Sequence, residues 1–203
     1  MSEPKRARKA RKNRPLDENA LRDLALSYVA RFATTGAKVE AYLARKIRER
    51  GIAEDADGRV QELDVTGIVT RLIELGYVDD AAYARSRSRD LTARGYGKRR
   101  VEQALYAAGV EDDVRADSVP DGAASRRAAM LLAKKRGIGP FMRADKREDL
   151  DDMALHKLRE KHTAAMLRAG HDFEHARFIL DAADADIVED WVIEAEEEAR
   201  DDV

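Results

Sequence analysis

The sequence predicts an all-α fold, on three observations. Apolar residues recur at i, i+3, i+4 and i+7 through most of the chain, the spacing of one helix face. Glycine repeatedly stands just past the last residue of such a stripe, where it ends a helix at little steric cost. No segment sustains a two-residue alternation with β-branched enrichment, and Pro4, Pro15, Pro120 and Pro140 all lie outside the stripes.

Taken in order, Leu21, Leu24, Ala25, Tyr28 and Phe32 form the first stripe. Val39, Tyr42, Leu43 and Ile47 form the second, closed by Gly51, and Val65, Ile68, Val69 and Leu72 the third, closed by Gly76. Residues 80–94 are helical in composition with a thin apolar face, which suits an outer position. Val101, Ala104, Leu105 and Ala108 follow, closed by Gly109; four acids and then Pro120 make the next stretch a poor helix. Ala128, Leu131 and Leu132 precede Gly137. Leu155, Leu158, Ala165, Met166 and Ala169 mark a longer helix ending at Gly170. Ala176, Ile179, Leu180 and Ala183 follow, with Asp172 placed as an N-cap, and Val188, Trp191, Val192 and Ala195 end the series.

These units repeat. Val39-Glu40-x-x-Leu43 and Val101-Glu102-x-x-Leu105 are the same pentad 62 residues apart, each preceded by a glycine and a lysine, Gly36 with Lys38 and Gly97 with Lys98. Gly51, Gly109 and Gly170 are spaced by 58 and 61 residues. A period near 60 holding three helices predicts three tandem three-helix repeats in an elongated, curved body, stacked because one such unit buries too little surface alone. The expected segments are a basic arm, 1–15, repeats at 16–78, 79–121 and 122–186, and an acidic extension, 187–203.

Composition narrows the function classes. The 203 residues carry 38 Lys and Arg against 40 Asp and Glu, a net charge of −2, with 38 % charged and 5 % aromatic residues. That small total hides a dipole: residues 1–15 sum to +6 and residues 181–203 to −10. No apolar run reaches the roughly 20 residues of a membrane helix, and no apolar segment follows the basic start as in a secretory signal. The absence of Cys removes disulfides, thiolate catalysis and cysteine metal sites, and fits a cytoplasmic protein.

Two charged regions carry the functional reading. Arg85, Arg87, Arg89, Arg94, Lys98, Arg99 and Arg100 stand against Asp90 alone, and Arg85 and Arg89, four apart, share a helix face. Arg45, Lys46, Arg48 and Arg50 occupy the corresponding end of the first unit, and Lys134, Lys135 and Arg136 that of the third. A basic inner track on the three units would meet nucleic-acid phosphates or an acidic protein surface, with steep salt dependence. The acidic end is expected to be a solvated terminal helix; a sharper reading makes it an internal mimic of DNA that shields the track.

The string His171-Asp172-Phe173-Glu174-His175 fits H-x-x-E-H, but a catalytic zinc needs a third protein ligand that the sequence does not supply. Gly95-x-Gly97 follows a helix and lacks the GK[ST] of a phosphate loop. Neither a cofactor nor a metal is expected.

The stretch Leu75-Gly76-Tyr77-Val78-Asp79-Asp80-Ala81-Ala82-Tyr83-Ala84, then Arg94-Gly95-Tyr96-Gly97, then Arg99-Arg100-Val101-Glu102-x-x-Leu105 up to Gly109, resembles the RecX family of bacterial recombination-regulatory proteins. The resemblance extends over about 16–185 and is firmest over 64–110; the acidic end and Gly170-His171-Asp172-Phe173 depart from it. It implies a tandem three-helix architecture and a cytoplasmic, non-enzymatic modulator that binds the RecA filament, restraining ATP hydrolysis and strand exchange. Physically, Gly76 ends one helix, Asp79 or Asp80 accepts the first amides of the next, and Tyr77 and Tyr83 pack across the corner. Gly95, Tyr96 and Gly97 join them as architecture. The expected contacts to RecA, or to single- or double-stranded DNA, are Arg45, Lys46, Arg48, Arg85, Arg87, Arg89, Arg94, Lys98, Arg99 and Arg100, on a monomer. The alternatives are a DNA-binding helical repeat without a dedicated protein partner, and a hydrolase using the two histidines.

Overall fold

The computed structural model describes residues 14–145 and 150–201; most of the basic arm, 1–13, lies outside them. Among the described residues there are ten α-helices, one short 3₁₀ turn at Gly139–Phe141 and no strand. The helices are α1 (Glu18–Val29), α2 (Gly36–Arg50), α3 (Val65–Glu74), α4 (Asp80–Ala93) and α5 (Lys98–Tyr106). They continue as α6 (Asp112–Ser118), α7 (Gly122–Arg136), α8 (Asp152–Arg168), α9 (Phe173–Asp181) and α10 (Ala185–Asp201). None of the described helices is long and apolar enough to cross a membrane. The chain forms two compact bodies, one running through Tyr83 with Ala108–Val110 added, the other Ala84–Ala107 with the residues from Glu111 onward.

The first body is built on the α1, α2 and α3 stripes. Leu21, Ala25, Val39, Leu43, Ile68, Val69 and Leu72 close one apolar cluster with Leu16 and Val78. Helix starts are set by short polar side chains: Asp17 accepts the Ala20 amide at 2.7 Å and Asp64 the Gly67 amide at 2.8 Å. Thr35 accepts the Lys38 amide at 3.3 Å and donates its hydroxyl to the Ala108 carbonyl. Phe32, the last member of the predicted first stripe, is 57 % exposed. Helix α1 ends at Val29, so the helical register that would aim Phe32 inward has stopped. Leu16, from before the helix, joins the core instead and pairs its backbone with Gly51 and Ala53 at 2.9 Å each.

The α3–α4 corner is capped as expected by one of its two aspartates, and departs from expectation at Tyr77. Asp79 caps α4 through the Ala82 amide at 2.7 Å, while Asp80 reaches across to the Gly36 amide of α2 at 2.9 Å. Tyr77 is 58 % exposed, while Val78, the apolar residue before the cap, goes inside. Tyr83 meets Lys38, whose ammonium donates to the phenol oxygen and lies 4.6 Å from the ring centre.

The second body has its own core of Ala129, Leu132, Ala133, Ile138, Met166, Ala169, Ala176, Ile179, Val188, Trp191 and Val192. Helix α10 is part of it. The acidic end is therefore not a free tail: its Val188, Trp191, Val192 and Ala195 stripe packs onto α7. Arg126 lies 5.0 Å from the Trp191 ring centre and donates to the Trp191 carbonyl at 3.0 Å. Phe178 stacks on the same indole at 4.5 Å. The poor stretch after Gly109 does form a helix, α6, of seven residues.

A backbone clasp joins two corners of this body. The Gly97 amide donates to Ala169 at 3.0 Å and the Arg99 amide to Gly170 at 3.1 Å. A Cβ on Gly97 would stand 2.4 Å from the Gly170 oxygen, and one on Gly170 would stand 2.4 Å from the Arg100 nitrogen. Gly170 also has φ of +93°, a conformation that side-chain-bearing residues avoid.

Candidate functional site

The cationic residues singled out in the sequence do not all present free charge. In α2, Arg45 approaches Glu49 at 3.7 Å and Lys46 pairs with the same carboxylate. The Lys46 ammonium holds the Glu49 carboxyl below the usual carboxylate range, with Arg45 and Arg48 adding to the effect. Both arginine and lysine also lie over the Tyr42 ring, at 5.6 and 5.8 Å. Arg48 is exposed and has no ion-pair partner among the described residues.

In the second body Asp90 draws two of the cluster together, with Arg87 at 3.1 Å and Arg94 at 3.5 Å. Arg99 stands 3.7 Å from Asp172, whose side chain caps nothing although it occupies the start of α9. Lys98 and Arg100 are exposed at the start of α5, and their side chains have no ion-pair partner among the described residues. Arg85 and Arg89 do share a face, as their spacing predicts, and that face lines a cleft.

The cleft measures about 710 Å³ and is formed by α4, the α6–α7 connection, α7 and α10. Arg85, Ser88, Arg89 and Thr92 descend from α4, Arg127 and Leu131 from α7, and Glu196 and Arg200 from α10. Arg127 donates through Nε to Glu196 at 2.7 Å. Farther along α7, Lys134 pairs with Glu189 of α10 at 2.6 Å. The acidic helix thus neutralises cations of α7 directly, while its own apolar stripe keeps it in the core. Arg127 and Arg200 escaped the sequence reading; the signals available were a basic pair early in α7 and the one base of the acidic end.

The two histidines of the string are engaged in packing contacts. His171 is buried, and its Nε2 lies 3.0 Å from the Gly95 carbonyl. A carbonyl only accepts, so Nε2 carries the proton. Burial pushes this imidazole below its ordinary pKa, partly opposed by that hydrogen bond. His175 turns its ring edge to Trp191 at 5.2 Å. Among the described residues no three His, Asp or Glu side chains converge to hold a metal ion. The cleft presents arginines, which stay cationic at any ordinary pH.

The sequence profile of the RecX second three-helix domain matches residues 79–118, which span α4, α5 and α6. The chain is 29 % identical over 182 residues to the regulatory protein RecX of Myxococcus xanthus, covering 88 % of this chain and 93 % of that one. It is 32 % identical over 167 residues to regulatory protein RecX of a Mycobacterium species (strain KMS), covering 80 % and 81 %. The fold is similar to the crystal structure of RecX from Lactobacillus salivarius, with a TM-score of 0.59 at 20 % identity over 80 % of this chain and 96 % of that one. With helix order and sequence in agreement over most of its length, the chain belongs to the RecX family of regulatory proteins.

Proposed function

We propose that the protein regulates the RecA recombinase by binding RecA or the RecA–DNA filament and restraining its ATP hydrolysis and strand exchange. The observation that carries this is the group of arginines on α4 and α5 that project from a folded helical body: Arg85, Arg89 and Arg100 are cations that the described acids leave unmatched. Permanent cations held on rigid helices suit recognition of an anionic surface. Arg45, Lys46, Arg48, Arg87, Arg94, Lys98 and Arg99 complete the contact set, and the protein acts in the cytoplasm as a monomer. The division into repeats at 16–78, 79–121 and 122–186 belongs to the same reading and is supported by the fully buried pentad residues Val39, Leu43, Val101 and Leu105.

The deciding experiment is RecA ATP turnover on single-stranded DNA with and without this protein. Turnover should fall on its addition. A variant with Arg85, Arg89, Arg99 and Arg100 replaced by Ala should remain helical by circular dichroism and lose the effect. Full inhibition by that variant would remove the site assignment. DNA affinity with no influence on RecA would favour a general DNA-binding repeat instead.

A further inference from the structure

We propose that the cleft between α4, α7 and α10 docks an acidic peptide segment of the partner protein, one carrying separated carboxylates and an apolar side chain. The inference deepens the function proposed above and rests on it for the partner's identity; it assigns this cleft to protein, leaving nucleic acid to cations elsewhere.

Four arginines face three carboxylates in the cleft, Asp117, Asp121 and Glu196, so its net charge is only +1. A polyanion with a phosphate charge about every 1.7 Å gains affinity by meeting many cations, and three carboxylates in the same cleft oppose it. A peptide places its carboxylates sparsely and can set each against one guanidinium. The cleft already holds such a group, since Glu196 sits on Arg127 at 2.7 Å. Arg85, Arg89 and Arg200 have no acid partner among the described residues and remain available.

The lining is also apolar where DNA would gain nothing. Val119, Pro120, Leu131 and Ala199 contribute to it, and Leu131 is 37 % exposed although its helix is otherwise well packed. The Thr92 hydroxyl oxygen is buried at the cleft with no hydrogen-bond partner among the described residues, and a peptide backbone would supply one. At about 710 Å³ the space exceeds a single small anion and suits several side chains of one segment.

The test uses the full chain and two probes, RecA without DNA and oligo(dT) without RecA. In the Arg85→Ala, Arg89→Ala double variant, RecA affinity should fall at least tenfold and oligo(dT) affinity less than twofold. Glu196→Gln should tighten RecA binding several-fold, because Arg127 is released for the incoming carboxylate. Unchanged circular dichroism and Trp191 emission establish that each variant is folded. If the double variant loses oligo(dT) and keeps RecA, the cleft is a nucleic-acid site and the proposal is overturned. Loss on neither probe, or no tightening by Glu196→Gln, overturns it as well. A wild-type chain that binds no RecA instead fails the proposed function, and the docking inference falls with it.

Discussion

Gly97 and Gly170 approach each other so closely that neither position accommodates a methyl group. Gly97→Ala should destabilise the second body by about 1–3 kcal/mol or more, since the clash is with backbone that cannot step aside. Gly170→Ala should cost at least as much because it adds left-handed strain; urea unfolding measures both. His171 supplies a pH effect at the same joint. Its folded pKa lies below the ordinary 6.5, chiefly through desolvation, so the unfolded chain binds the proton more readily. Stability is therefore complete above about pH 6.5 and declines as pH falls toward the folded value, levelling off once both states are protonated. His175 and His162 are shifted the same way by burial. His171→Gln should consequently flatten, without abolishing, the slope of the urea midpoint between pH 5.5 and 7.

At the scale of elements, α10 shows how charge count misleads. Eleven acids over residues 181–203 suggest a solvated end, yet four residues at helical spacing decide its place. The stripe Val188, Trp191, Val192 and Ala195 was readable in sequence; what it packs against was not, because α7 lies some 60 residues away along the chain. Trp191→Ala should cost about 3–5 kcal/mol, since it empties a large buried site and removes the partner of both Phe178 and Arg126. Leu43→Ala should cost about 2–5 kcal/mol in the first body for the same reason. Most helices were legible from the apolar period and the glycines that follow it; α6, in a stretch with four acids and no apolar stripe, was not. Phe32 marks the limit: a stripe continues on paper where a helix has already stopped. Leu16 marks the complementary one, a core residue outside any periodic segment, placed by backbone pairing that no side-chain pattern announces.

For the whole molecule, the cationic surface was legible as composition and only partly as geometry. Arg85 and Arg89 were found because i, i+4 spacing fixes a shared face. That Asp90 would occupy Arg87 and Arg94, and that Arg127 and Arg200 would join the cleft, depends on helices brought together by packing. Binding to the RecA–DNA filament should weaken roughly tenfold or more between 50 and 200 mM salt if several of these cations meet phosphates. A salt-independent affinity, measured by fluorescence anisotropy, would argue against an electrostatic contact of this kind.

The hydrogen bonds of the joint at Gly97 and Gly170 are made by amides and carbonyls, and Arg99 enters them through its main-chain amide. The Arg100 guanidinium plays no part in those bonds and stands exposed, while that of Arg99 reaches the half-exposed Asp172. Selection can exchange those side chains, and so retune what the molecule grips, while the framework beneath keeps its form.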